Sequence, residues 1–366
     1  MSEENQNAFK LWISGDVVKK YFKHTKLSKK EIDAIIKKLS SLELKARVQL
    51  IARELKDVLP EHYPHALKEL LQITRKENLK SFELWPTTEF IQMYGLDYTD
   101  RSLEAMYELT SKFTAEFSIR PFINKYGHQI YDKLLPWKQD QNEHIRRWLS
   151  EGTRPRLPWG EKLHAAVKDP KKGLEILEHL KFDPSLYVRK SVANHLNDIA
   201  KDHPELVVST LLKWQKQVPK NYLKEFNFIS NRALRTLIKD GHEGALQFTG
   251  VALDKKSIKC SQLTINKNKF KMGEKLELNF SVQNKTKENL KYIIDYVIYF
   301  KKANGDLSPK VFKLKTGTLK AFEKINITKN HNFKPITTRK FYPGEHQISV
   351  KINGRETEKL SFNLRV

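Results

Sequence analysis

Apolar residues recur along this chain with two different periods, and the change between them falls near Val251. Upstream, hydrophobic positions return every three or four residues, the spacing of one buried helix face. In FDPSLYVRKSVANHLND (182–198), Val188, Val192 and Leu196, followed by Ile199, form such a stripe. Asp183 takes the expected N-cap position and Pro184 the first helical position, where a missing N–H does no harm. A second helix is expected after His203-Pro204, with Val207, Leu211 and Trp214 on one face. The same pattern predicts helices over 17–23, 29–41, 43–58, 63–73, 87–94, 101–119, 128–135, 140–150, 160–167, 172–181 and 229–239. Arg147 in HIRRWL, Arg189 in YVRKSV and Arg232 in SNRALR lie 42 and 43 residues apart. That period suits HEAT-like helical pairs, each burying its apolar face against its neighbours.

Downstream, apolar and polar residues alternate. Leu263-Thr-Ile265 and Leu276-Glu-Leu278-Asn-Phe280-Ser-Val282 read as strands, and Tyr292 to Phe300 as a strand covered on both faces. Further strands are expected at 311–316, 325–333, 346–352 and 360–366, some separated by Asn304-Gly305, Pro343-Gly344 and Asn353-Gly354 turns. The fold class is therefore multidomain, α then β: a HEAT-like α-solenoid over 1–252 and an immunoglobulin-like β-sandwich over 253–366.

Charge adds a partner to this picture. The chain carries a formal net charge of +24. Residues 256–366 hold 24 Lys+Arg against 9 Asp+Glu, so the last third supplies most of the excess. Such a surface points to a polyanion, nucleic acid first, because each phosphate contacted releases condensed counterions. A generically soluble basic surface is the plainer reading. No apolar run approaches membrane-spanning length, and MSEENQNAFK does not read as a secretory signal. The lone Cys260 excludes an intramolecular disulfide and suits a reducing cytoplasm. The twelve histidines show no metal-ligand spacing, so no metal or cofactor is expected.

Four motifs could carry chemistry. EFSIRPF places Glu116 and Arg120 four apart, on a helix expected to stop at Pro121; a surface ion pair between them is the plainer reading. SEGTRPRLPW holds Glu151, Arg154, Arg156 and Trp159, with packing between repeats as the ordinary role for the tryptophan. NHLND ends in Asp198, an acid near the unfavourable end of its helix. NRALRTLIKDG carries Arg232 and Arg235, spaced for one helix edge and suited to phosphates or to a solvated face.

Long runs of the chain resemble the AlkC family of DNA alkylation-repair glycosylases. They are LELKARVQLIARELKDVLP, ELWPTTEFI, SLEAMYELTSKFTAEFSIRPF, RLPWG, FDPSLYVRKSVANHLNDIAKDHPELVVSTLLKW and RALRTLIKDGHEGAL. IDYVIYFKKANGDLSPKVFKLK and TTRKFYPGEHQISVKING resemble the immunoglobulin-like domain found in many of its members. One departure stands out: Phe228-Ile-Ser-Asn-Arg232 replaces the family's Trp-Ile-x-Arg-His, so Asn231 sits where an arginine is usual.

The resemblance implies excision of N3-methyladenine and N3-methylcytosine from double-stranded DNA; with no lysine nucleophile evident, a monofunctional N-glycosyl hydrolase is expected, acting as a monomer. The lesion-facing positions it carries over are Glu116, Glu151, Trp159 and Asp198. A cationic base leaves an oxocarbenium-like sugar, which a carboxylate steadies, and Asp198 is assigned that role. Arg154, Arg156, Arg189, Lys190, Arg232 and Arg235 are the expected basic rim. Lys301, Lys302, Lys310, Arg339 and Lys340 are the expected contacts from the sandwich. Two other readings are a non-catalytic HEAT-repeat protein that binds DNA structure, and a protein–protein adaptor.

Overall fold

The computed structural model describes residues 9–254, 256–336 and 339–366, so most of the N-terminal MSEENQNAFK segment lies outside the described residues. Its helices are α1 (Gly15–Phe22), α2 (Lys29–Leu39), α3 (Leu44–Val58), α4 (Tyr63–Lys76), α5 (Trp85–Tyr94), α6 (Thr99–Thr110), α7 (Ile119–Tyr126) and α8 (His128–Leu134). They continue as α9 (Glu143–Gly152), α10 (His164–Lys168), α11 (Lys171–Leu180), α12 (Leu186–Ile199), α13 (Pro204–Gln217), α14 (Leu223–Ala233), α15 (Arg235–Asp240) and α16 (Glu243–Thr249). None of the described helices is long and apolar enough to cross a membrane. Two compact units result: one takes the described residues up to 202 together with Gln217–Ala233, the other His203–Lys216 with Leu234–Val366.

In the first unit, α9 packs on α12 and α12 on α14. These three packed helices carry Arg147, Arg189 and Arg232. Val188, Val192 and Leu196 are fully buried, as the apolar stripe requires. Three local expectations are corrected. Helix α12 is capped by Ser185, whose side chain accepts from Tyr187 N at 3.2 Å, and not by Asp183. Asp183 instead accepts from Ser185 N at 2.9 Å and pairs with Arg146 Nε at 2.6 Å. The helix expected over 101–119 stops at Thr110, whose hydroxyl bonds back to Met106 O at 2.7 Å. Pro121 therefore lies in the first turn of α7, where proline is tolerated, and Glu116 sits in the connecting turn. The helix expected over 229–239 breaks at Leu234, so Arg232 lies in the last turn of α14 and Arg235 begins α15.

The second unit holds an immunoglobulin-like sandwich of two sheets. The strands are β1 (Ile258–Cys260), β2 (Thr264–Ile265), β3 (Lys269–Lys271), β4 (Lys275–Asn284), β5 (Leu290–Lys301), β6 (Leu307–Leu319), β7 (Lys324–Asn332), β8 (Gly344–Ile352), β9 (Arg355–Glu356) and β10 (Leu360–Arg365). One sheet runs β1-β4-β2 with β7 also paired to β4; the other runs β3-β10-β8-β5-β6 with β9 on β8. Leu276, Leu278, Phe280 and Val282 alternate into the core, whereas residues 294–298 of β5 are buried consecutively. The second pattern is that of a strand covered on both faces. Next to it, β8 and its hairpin bond to the chain just before the sandwich: Lys351 Nζ donates to Lys239 O at 3.1 Å and Asn353 Nδ2 to Ala252 O at 2.9 Å. Asn353 and Gly354 both have positive φ (48° and 79°), the two-residue hairpin their order predicts.

Candidate active site

All three expected acids are buried in the first unit, in one alternating chain of charges. Glu116 is held in its turn by Phe117, stacked on Trp85 at 5.7 Å, and by Ser118, which donates to Thr88 O at 2.7 Å. Its carboxylate pairs with Arg147 Nη1 and accepts from Thr114 Oγ1 at 3.0 Å. Arg147 Nη2 lies 3.6 Å from Glu151 Oε1, and Arg154 Nη1 donates to the same oxygen at 2.6 Å. Ser191 Oγ donates to Glu151 Oε2 at 2.5 Å. Arg154 continues to Asp198, whose second oxygen, Oδ1, receives Lys201 Nζ at 3.0 Å. Sequence reasoning placed Arg120 beside Glu116, but the partner is Arg147, one repeat further on.

Burial sets the electrostatics. Glu116, Glu151 and Asp198 are 8%, 6% and 2% exposed, so their charges are tolerated only because guanidinium groups interleave them. Desolvation holds the Glu116 carboxyl above its ordinary value, with Arg147 opposing and Glu151 reinforcing the shift. Burial would lower Arg147 and Arg154, yet the neighbouring carboxylates more than offset it and hold both guanidinium groups charged. His195, one turn before Asp198 and fully buried, is pushed down to about 3 by desolvation and by Arg154. Its Nδ1 lies 2.9 Å from Ser150 O, which fastens α12 to α9 beside Glu151.

The remaining expected residues divide into those turned outward and those already engaged. Trp159 is 67% exposed and has φ +65°, a left-handed backbone rare for a bulky side chain, so it does not pack between repeats. Arg154, expected on the rim, is buried within the acid chain. Arg156 forms a forked pair with Asp202 (2.7 Å), and Arg189 Nη1 donates to Asp183 O and Pro184 O. Lys190 is exposed, and Arg232 Nε donates to Asn194 Oδ1 at 3.0 Å. In the sandwich, the Arg339 guanidinium lies 3.9 Å above the Phe300 ring, Lys310 sits over Phe312, and Lys340 over Tyr342. Lys301 and Lys302 adjoin Phe300 at the end of β5, and Phe312 is 6.5 Å from Phe300, so basic and aromatic groups gather around one end of the sandwich.

Sequence reasoning missed two participants and gave a third the wrong partner. Tyr187 places its ring 5.1 Å from the Arg147 guanidinium and remains 40% exposed. Ser191 is marked only by falling one turn before His195. Arg120 was noticed for the wrong partner.

A helical part bearing three carboxylates interleaved with arginines, followed by a basic immunoglobulin-like sandwich, defines a recognisable class. Residues 259–366 match the family described as Uncharacterised protein YhaZ, C-terminal Ig-like domain. The chain is 38% identical to Uncharacterized protein YhaZ of Bacillus subtilis (strain 168), over 88% of each sequence. It superposes with TM-score 0.86 and 34% identity on Pseudomonas fluorescens alkylpurine DNA glycosylase AlkC bound to DNA containing an abasic site analog, covering 98% of this chain and 99% of that one. The chain belongs to the AlkC family.

Proposed function

We propose that this protein is a DNA glycosylase that removes cationic alkylated bases, N3-methyladenine and N3-methylcytosine, by hydrolysis of the N-glycosidic bond. The observation that carries the reading is the chain of three buried carboxylates fixed by Arg147 and Arg154. It lies in a protein 34% identical, over nearly its whole length, to an alkylpurine DNA glycosylase. Fixed negative charge in a water-poor site is what an oxocarbenium-like sugar and a departing cation require. It costs no reorganisation as the bond breaks.

Asp198 steadies the sugar cation in this reading, while Glu116 and Glu151 complement the charged base or hold the attacking water. Trp159 presents an aromatic face to a cation, an attraction that strengthens when water is excluded. Asp198 meets substrate on its Oδ1 side, because Arg154 occupies Oδ2 while Oδ1 is met by Lys201, whose side chain is 42% exposed. No lysine nucleophile enters the scheme, so the enzyme is monofunctional. It acts as a monomer on double-stranded DNA in the cytoplasm. The repeat domain of residues 1–252 carries the chemistry, and the sandwich of 253–366 contributes phosphate contacts through Lys301, Lys302, Lys310, Arg339 and Lys340.

The test is incubation of the purified protein with methylated DNA and identification of the bases released. Liberation of N3-methylated bases, lost in Asp198→Ala, supports the reading. Tight, salt-dependent DNA binding with no base released overturns it in favour of a binder of DNA structure.

A further inference from the structure

Arg120 is the most deeply buried charged side chain described in the first unit, and none of its described hydrogen bonds goes to a carboxylate. Its residue is 0% exposed. Nε donates to Glu161 O at 2.5 Å, Nη1 to Gly152 O at 2.9 Å and Arg154 O at 2.8 Å, and Nη2 to Pro155 O at 3.4 Å. Every acceptor is a backbone carbonyl, and all four belong to residues 152–161. Desolvation, the first cause, brings the guanidinium down to about 10, with Arg154 adding to the fall and the Glu161 and Asp198 carboxylates opposing it. A charge placed at that cost is retained where its geometry matters, since the planar fork reaches several acceptors that an ammonium cannot.

Those carbonyls bracket the loop that holds both Arg154 and Trp159. Gly160 is fitted to the arginine, whereas Gly152 is fitted to Ile119 and Trp148. A Cβ on Gly160 would lie 3.0 Å from Arg120 Cδ and 3.1 Å from its Nε, and one on Gly152 would lie 2.8 Å from Ile119 Cγ2. The loop is tied at both ends to one rigid group, which is what a left-handed tryptophan needs to persist in solvent. Resting on the glycosylase reading above, we infer that Arg120 is a positioning residue. Its guanidinium staples residues 152–161 so that Arg154 stays on Glu151 and Asp198 while Trp159 stands toward the DNA.

The experiment uses the full chain with Gly160→Ala, Arg120→Lys and Arg120→Met. Gly160→Ala keeps the charge and wedges the staple, so it tests the idea even where Arg120→Met fails to fold. Trypsin cleavage after Arg156 and Lys162, followed by mass spectrometry, reads the loop directly. Both bonds should be cut faster in each folded variant, with cleavage elsewhere unchanged. Single-turnover base release should fall by about 10²-fold, the scale of an ångström-sized misplacement. Affinity for DNA holding an abasic analogue should stay within about threefold, well short of a tenfold step worth ~1.4 kcal/mol. Arg120→Lys should recover part of the rate.

An unchanged cleavage pattern in folded variants overturns the inference. So does a parallel fall of rate, DNA affinity and melting temperature, which is the mark of a purely structural role. If the parent protein releases no base, the glycosylase reading falls by itself, while the cleavage pattern still decides whether Arg120 fixes the loop.

Discussion

Arg154 directs two nitrogens at a single oxygen of Asp198, Nε at 2.8 Å and Nη2 at 2.7 Å. Its remaining terminal nitrogen, Nη1, serves Glu151, so one side chain fixes the distance between two acids on different helices. Removing it leaves two carboxylates partly uncompensated in a buried site. Arg154→Met should lower the free energy of unfolding by about 3–5 kcal/mol, the range for breaking a buried ion pair, read from urea denaturation. Asp198→Asn keeps an oxygen for the guanidinium to bind and should cost less. It should nevertheless abolish base release, because the charge is gone. A variant in which Asp198→Asn retains parental release would remove Asp198 from the chemistry.

How much of this was legible in advance follows from which forces are local. Helix stripes and strand alternation are written in nearest-neighbour spacing, so the changeover near Val251 and the repeat of Arg147, Arg189 and Arg232 could be read directly. Tertiary partners could not. Glu116 and Arg120 are four apart, but helix α6 ends at Thr110, and without a common helix that spacing has no meaning. Asp183 satisfied every rule for an N-cap, yet Arg146 drew it away and Ser185 took the position. For Trp159 the residues left packing between repeats and presentation to a ligand both open, and its 67% exposure removes the first.

Glu116 should impose a pH dependence of definite sign. Burial, its first cause, raises the folded carboxyl above 4.5, with Arg147 opposing and Glu151 adding to it. Between 4.5 and the raised value the folded state binds more protons than the unfolded one, so stability falls as pH rises through that window. Glu116→Gln has no such titration. The difference in unfolding free energy, parent minus variant, should therefore shrink as pH climbs. Base release in the parent should rise over the same window as the carboxylate appears, and be flat in Glu116→Gln. A parallel pair of profiles would discount the residue.

His195 works in the opposite sense. Desolvation first, then Arg154 and Arg120, lower it from 6.5 to about 3, while the Ser150 carbonyl partly resists. Below 6.5 the unfolded chain takes up a proton that the folded protein refuses until about 3, so stability drains away as pH falls through that interval. The slope from this group approaches about 1.4 kcal/mol per pH unit. Urea midpoints of His195→Gln, measured from neutral pH downward, should decline less steeply than the parent's. An equal decline would mean the acid limb belongs to other groups.

Trp159 separates stability from activity. With φ +65°, an L side chain carries a backbone cost that glycine does not. Trp159→Gly should leave stability unchanged or raise it by up to about 1 kcal/mol, since the left-handed penalty is removed and the exposed ring gives up little burial. Base release should drop all the same. Thermal melts alongside single-turnover assays check the pair of outcomes. A lower melting temperature together with undiminished release would reverse the assignment.

Lys201 is the cation a charged base must compete with. Its ammonium lies 3.0 Å from Asp198 Oδ1, the oxygen that Arg154 leaves open, and its side chain is 42% exposed. Lys201→Met removes one positive charge beside a buried carboxylate, so an incoming cationic base meets a more negative site. The variant should release N3-methyladenine at least as fast as the parent, and faster where the DNA is subsaturating. A lysine that instead grips a phosphate predicts the reverse: weaker binding, and a plot of log affinity against log salt shallower by about 0.9. Measuring release and the salt slope on the same preparation distinguishes the two, because a group occupied with Asp198 has no phosphate to lose.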